Sequence, residues 1–232
     1  MYKRVLLKLS GEALAGEKKT GIDPEVVDKI CEKVVKLVNM GIQVAIVTGG
    51  GNFWRGRTTE HMDRTTSDYM GMLATIMNSL CVKDCLEHKG LKASCMTSIE
   101  MNQVAEYFSK RDAVKHLEDG EVVVFGGGTG SPFFSTDTTA ALRACEIGAD
   151  SILVAKTIDG VYSADPKLDP NAIKYDEITF TEVLNKDLKV MDGTAIAMCR
   201  DNNVSLVVFG LDDPENIVRA ANGENVGTIV KA

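Results

Sequence analysis

Short apolar runs recur along the chain, and most stop at glycine or a small polar residue. Residues 122–125 and 5–9 have the length and character of buried strands, and 44–47, 93–96, 152–155, 206–209 and 226–230 read as further strands. Between them the apolar period changes. Val27, Ile30, Val34, Leu37 and Val38 recur at helical spacing after Asp23 and Pro24, a cap followed by first-turn proline, and Gly41 closes that helix. Further helices are predicted over 67–88, 112–117, about 137–147, 181–184, 194–200 and 214–221, with Gly90 and Gly120 as stops. Strands alternating with helices predict an α/β fold, a mostly parallel central sheet flanked by helices. A soft division near Ala149 separates two halves, about 1–149 and about 150–232, within one domain.

Residues 121–140 read EVVVFGGGTGSPFFSTDTTA. A buried strand runs into Gly126, Gly127, Gly128 and Gly130, which open backbone conformations closed to other residues. Hydroxyls and one carboxylate follow, with Thr136 or Asp137 as the cap of the next helix. Strand, glycine loop and helix N-terminus together aim free N–H groups at one spot, where an anion can sit. Two more strands end the same way, at Leu9-Ser10-Gly11 and at Thr48–Asn52 with its Gly49, Gly50 and Gly51. One such loop is weak evidence, but three at strand C-termini predict phosphate or nucleotide binding. The familiar phosphate motifs are absent: Gly11 and Gly16 have the right spacing, but Glu17-Lys18 follow instead of Lys-Ser/Thr, and no complete G-x-G-x-x-G occurs.

Particular side chains sharpen this. Lys8 lies in an apolar strand two residues before Ser10. It is either an edge lysine reaching solvent or a cation across a transferring phosphoryl group. Arg55 follows the triple glycine as surface arginine or bidentate phosphate clamp. Asp68, at the predicted start of the long helix, is a helix-terminus charge or an acceptor for ribose hydroxyls, and Asp137 carries the same ambiguity. Cys81, Cys85 and His88 share a helix face, but with no fourth ligand nearby they read as packing. Met70, Leu73, Met77 and Leu80 read as core or as a subunit interface. The long loop 156–172, stiffened by Pro166 and Pro170, suggests function rather than connection.

Bulk properties narrow the class. A net charge of −7 argues against a nucleic-acid or anionic-membrane partner. No apolar run reaches the ~20 residues of a bilayer span. Six cysteines without close regular spacing, in a chain that opens directly on a strand, predict reduced thiols and a cytoplasmic location.

Six strings then carry a resemblance over essentially the whole chain: KLSGEAL from Lys8, TGGGNFWRG from Thr48, DYMGMLAT from Asp68, GTGSPFFSTDT from Gly128, DGVYSADP from Asp159 and LKVMD from Leu188. They resemble the bacterial UMP kinases of the amino acid kinase family. The first and fifth strings occur across that family, while DYMGMLAT and GTGSPFFSTDT single out its UMP kinases. Ser131 and Tyr69 depart from the pattern, where asparagine and histidine are common. The resemblance implies a three-layer sandwich that transfers the ATP γ-phosphoryl group to UMP, with Mg²⁺ accompanying ATP, in pyrimidine nucleotide biosynthesis. It implies Lys8, Leu9, Ser10, Gly11, Gly51, Arg55, Lys156, Tyr162 and Asp165 around ATP. Gly50, Asp68, Thr129, Gly130, Ser131, Pro132, Phe133, Phe134, Ser135 and Thr136 would hold UMP. Lys8, Arg55 and Asp137 would be catalytic, and no residue-built metal site is expected. A homohexamer with GTP activation and UTP inhibition is implied as well. The rivals are a kinase of the same fold acting on a small carboxylate or carbamate, and a non-catalytic nucleotide sensor.

Overall fold

A computed structural model of the chain describes residues 1–55 and 61–231. Among these residues nineteen elements follow one another, a 3₁₀ turn at Gly16–Lys18 aside: β1 (Arg4–Leu9), α1 (Gly11–Ala15), α2 (Pro24–Asn39), β2 (Gln43–Thr48), α3 (Arg64–His88), β3 (Ala93–Thr97), β4 (Glu106–Tyr107), α4 (Lys110–Glu118), β5 (Val122–Gly126), α5 (Thr136–Ile147), β6 (Ser151–Lys156), β7 (Val161–Tyr162), β8 (Lys174–Tyr175), β9 (Glu177–Thr179), α6 (Phe180–Asn185), α7 (Gly193–Asp201), β10 (Ser205–Gly210), α8 (Asn216–Ala221) and β11 (Thr228–Lys231). Of the eleven strands, all but β7 and β8 join one nine-stranded sheet in the order β4-β3-β5-β2-β1-β6-β10-β11-β9. Every pairing in it is parallel except β10 with β11. Since β1 pairs with both β2 and β6, the sheet continues unbroken across the soft division near Ala149.

The strands are near-continuous apolar runs because helices cover both faces. Leu6, Val123, Val154 and Leu206 point to the side of α4, α5, α6 and α7; Leu7, Ile46, Leu153 and Phe209 pack against α2, α3 and α8. Fully burying one such side chain stabilises by about 1.5–3 kcal/mol, so these two layers dominate cohesion. Asp23 caps α2 as the sequence predicts, accepting from the Glu25 N–H at 3.0 Å.

Four expectations are corrected. Helix α3 starts at Arg64 rather than Ser67, because Asp63 caps it, accepting from the Thr66 N–H at 3.0 Å. Ser135, not Thr136 or Asp137, caps α5, accepting from Asp137 N–H at 3.0 Å. The long loop after β6 contains the antiparallel ribbon β7–β8, and α1, β4 and β9 are too short to show a period. The sequence between Gly56 and Thr66 is polar, and its residues 56–60 lie outside the described residues.

Candidate active site

Strands β5, β2 and β1 are neighbours and parallel, so their three glycine loops emerge together at one edge of the sheet. The first two loops touch backbone to backbone. A Cβ on Gly11 would lie 2.4 Å from Asn52 Oδ1 and 2.7 Å from the Gly51 nitrogen. Glycine is needed there for approach, not for unusual torsions. The third loop is different: Gly127, Gly128 and Gly130 all have positive φ, from 59° to 80°. Helix α3 ties the loops together. Asn78 donates to Gly49 O at 2.6 Å and to Asn52 Oδ1 at 2.8 Å, and the Gly127 N–H donates to Thr75 Oγ1 at 2.8 Å.

Lys8 is no edge lysine. Its strand is flanked on both sides, with Val47 and Val154 in register, and the residue is 7% exposed. Its Nζ meets Asp137 Oδ1 at 2.7 Å. Asp137 stands in the first turn of α5, held there by the Ser135 cap. Ser135 in turn donates from its hydroxyl to Asp192, which also accepts from Thr138 Oγ1 at 2.9 Å and caps α7 through the Ala195 N–H at 3.0 Å. Burial works against charge on Asp192, but these donors outweigh it and hold its carboxyl below the ordinary range. Lys156, at the end of β6, donates to the carbonyls of Val190 and Lys189. Burial lowers its pKa, Asp137 opposes that, and Lys8 adds to it. Lys8 thus pairs directly with Asp137, and Lys156 stands close enough for its charge to feel both, at the edge where the glycine loops meet.

One cavity of about 410 Å³ opens beside this centre, lined by Gly50, Gly51, Arg55, Asp68, Thr129, Phe134, Ser135 and Thr136 among the candidate residues. Trp54, Arg64, Gly71, Met72, Thr75 and Gly128 complete its wall. Asp68 lies in the second turn of α3, so its reading as a helix-terminus charge lapses. Its Oδ2 accepts from Arg64 Nε and from the Phe133 N–H, both at 2.8 Å, which latches the third loop to α3. Phe133 adopts φ 74° and is 64% exposed as a residue, with the Arg64 guanidinium carbon 5.4 Å from its ring centroid. Gly130, Ser131, Pro132 and Phe133 follow the same loop but do not line the cavity. Arg55 pairs with Glu12.

A network centred on one buried arginine backs that loop. Arg143 on α5, 4% exposed, stacks 3.5 Å over the Phe108 ring and pairs with Glu146. It donates to Ser98 Oγ at 2.8 Å, and the Ser98 hydroxyl donates to Gly128 O at 2.7 Å.

A second cavity of about 830 Å³ includes Lys156, Thr157, Glu12, Leu211 and Asp212. Of the candidates for the donor nucleotide only Lys156 lines it. Tyr162 and Asp165 stand outside both cavities: Tyr162 donates to Asp159 at 2.7 Å, and Asp165 accepts from the Lys167 N–H at 2.9 Å. Leu9 has no exposed surface and offers only backbone, while the Ser10 hydroxyl caps α1, accepting from Ala13 N–H at 3.1 Å. Cys81 and Cys85 are half-buried and His88 is exposed; among the described residues no group of three or more His, Cys, Asp or Glu could hold a metal ion. Leu73 and Met77 are 46% and 47% exposed, so that stripe of α3 is not core.

Reasoning from residue types missed Arg64, Gly71, Thr75, Ser98, Arg143 and Asp192. Arg64 was open to detection, since it precedes Asp68 by four residues and so shares a helix face with it.

The model of the amino acid kinase family matches residues 3–210. The crystal structure of UMP kinase from Bacillus anthracis superposes with a TM-score of 0.96 at 41% identity, covering 99% of this chain and 96% of that one. UMP kinase from Ureaplasma parvum gives 0.94 at 39% identity with both chains fully covered. Uridylate kinase from Archaeoglobus fulgidus gives 0.74 at 27%, covering 97% and 99%. The glycine-loop edge, the Lys8–Asp137 pair and these full-length likenesses agree: the chain belongs to the amino acid kinase family, in the group that contains the bacterial UMP kinases.

Proposed function

We propose that the chain transfers the γ-phosphoryl group of ATP to UMP, giving ADP and UDP. The observation that carries this reading is the Lys8–Asp137 pair at the glycine-loop edge, beside a cavity walled by Asp68, Gly50, Thr129, Phe134, Ser135 and Thr136. The likeness at 39–41% identity to UMP kinases supports the acceptor.

A phosphate oxygen of UMP attacks the γ-phosphorus, and the bond from that phosphorus to the β,γ-bridging oxygen breaks as ADP leaves. The attacking phosphate needs no general base, because its second pKa is about 6 and it is ionised at neutral pH. Positioning and charge neutralisation then supply the rate. Lys8 offsets charge developing on the moving group, Asp137 orients Lys8, and Arg55 leaves Glu12 to clamp phosphate. Asp68 holds the ribose of UMP, and the cavity that contains Lys156 takes the donor.

Magnesium enters with ATP as part of the substrate. One carboxylate and few other donors suit an ion that keeps its waters and phosphate oxygens, so Asp137 is the residue to hold it. The ion supplies charge neutralisation across the phosphates when bound. A cytoplasmic setting in pyrimidine nucleotide biosynthesis, GTP activation, UTP inhibition and a homohexamer belong to the same proposal. The exposed α3 stripe supports the last as a face for a second copy.

The test is turnover with ATP, Mg²⁺ and each of UMP, CMP, AMP and GMP. A site that hydrogen-bonds the uracil edge rejects CMP by ~10⁴-fold, because its own polar groups are otherwise left unpaired. CMP within about tenfold of UMP, the scale of shape discrimination alone, refutes the uracil-specific reading.

A further inference from the structure

Gly71 sits at the eighth position of the 25-residue helix α3, well inside it. Glycine is a poor choice there, since it loses more backbone freedom than alanine on folding. Neighbouring protein does not require it. A Cβ at Gly71 would meet no protein atom within 4 Å, and the residue has ordinary helical torsions. Elsewhere among the described residues, the glycines with equally open space either have positive φ (Gly21, Gly41, Gly90, Gly120) or begin a helix, as Gly193 does. Among the described glycines with such open space, Gly71 alone lacks a reason within the fold.

Its position supplies one. Asp68, Gly71, Met72 and Thr75 all line the smaller cavity, a spacing of three, four and seven that defines one helix face. The exposed stripe of Tyr69, Leu73 and Met77 occupies the other side of the helix, so the open space at Gly71 faces the cavity. Gly50 completes the arrangement: a Cβ on it would stand 2.6 Å from the Gly71 carbonyl oxygen, so loop and helix meet backbone to backbone on the cavity wall.

We infer that Gly71 is a specificity-determining residue, kept without a side chain so that the acceptor nucleotide can lie against the α3 backbone one turn beyond Asp68. This rests on the reading of the cavity as the UMP site. The helix accepts a weaker residue to keep that volume open, so filling it separates stability from binding.

The experiment compares the full chain with Gly71→Ala and Gly71→Ser by calorimetric titration of UMP and of ATP, thermal melting and sedimentation. In Gly71→Ala we expect UMP affinity to fall about tenfold or more, the scale of over-filling a packed site. ATP affinity should hold, and Tm should stay or rise by about 1–4 °C. Gly71→Ser should lose more UMP affinity than Gly71→Ala. Unchanged UMP affinity in both variants overturns the inference while leaving the proposed function intact. So does a variant that melts well below the parent or changes its oligomeric state without losing UMP, because the methyl group then met protein. A parent chain that binds no UMP overturns the proposed function, and this inference with it.

Discussion

Lys8 Nζ and Asp137 Oδ1 stand 2.7 Å apart, one on the central strand β1 and the other in the first turn of α5, 129 residues later. The strand places the cation where the glycine loops converge, and the helix N-terminus favours the carboxylate beside it. A buried ammonium is costly without a partner, and Asp137 is that partner. Lys8→Ala is therefore expected to lose ~2.7–4 kcal/mol of transition-state stabilisation, about 10²–10³ in kcat, with UMP affinity nearly kept. Turnover at saturating nucleotides checks this, and near-normal kcat would reduce Lys8 to a structural ion pair.

Asp68 latches two elements through one oxygen, accepting from Arg64 and from the Phe133 N–H. Asparagine keeps a single acceptor and introduces an N–H₂ where donors already converge. Asp68→Asn should weaken UMP binding by ~1.5–3 kcal/mol, the scale of hydrogen bonds to a charged group, and leave ATP affinity alone. A parallel loss for both nucleotides in calorimetry would mark a general fold effect instead.

Ser98 stands between a buried guanidinium and the acceptor loop. Removing its hydroxyl leaves an Arg143 N–H and the Gly128 carbonyl short of a partner, so Ser98→Ala should cost about 1–3 kcal/mol of stability. Its kinetic effect should fall on KM for UMP more than on kcat, because the loop loses its backing while Lys8 and Asp137 keep theirs. A variant with parental KM would show that the loop holds its shape unaided.

His116 bridges an edge strand to the sheet, with Nε2 3.0 Å from Glu106 and Nδ1 2.9 Å from Glu121. Burial disfavours its charge, but the two carboxylates outweigh burial and raise its pKa above 6.5. A raised histidine pKa contributes stability that is complete below 6.5 and is lost as pH rises through the folded value. The Tm difference between the parent and His116→Gln should be largest near about pH 5.5 and shrink above neutrality. A difference that stays constant across that range would rule out the clamp.

Much of this protein is legible in its sequence because the governing forces are local. Strands β1, β2, β5, β6 and β10 are readable because a parallel sheet covered on both faces needs continuous apolar runs. Helix α2 is readable from its Asp23-Pro24 start and its spacing, and the glycine loops from their place at strand ends. The six strings beginning at Lys8, Thr48, Asp68, Gly128, Asp159 and Leu188 likewise carry the family without any coordinates. Only the tertiary structure decides what depends on distant chain segments meeting. Whether Lys8 is an edge lysine or a buried one depends on strand order, which no run of residues states. Arg143 and Ser98 act only because the fold brings α5 to the residue that follows β3, and Asp192 because α7 packs on α5. Gly71 is an ordinary misfit until its helix face is known. Local chemistry fixes the elements; burial and strand order, which arise between segments far apart in the chain, select which side chains meet at the phosphate edge.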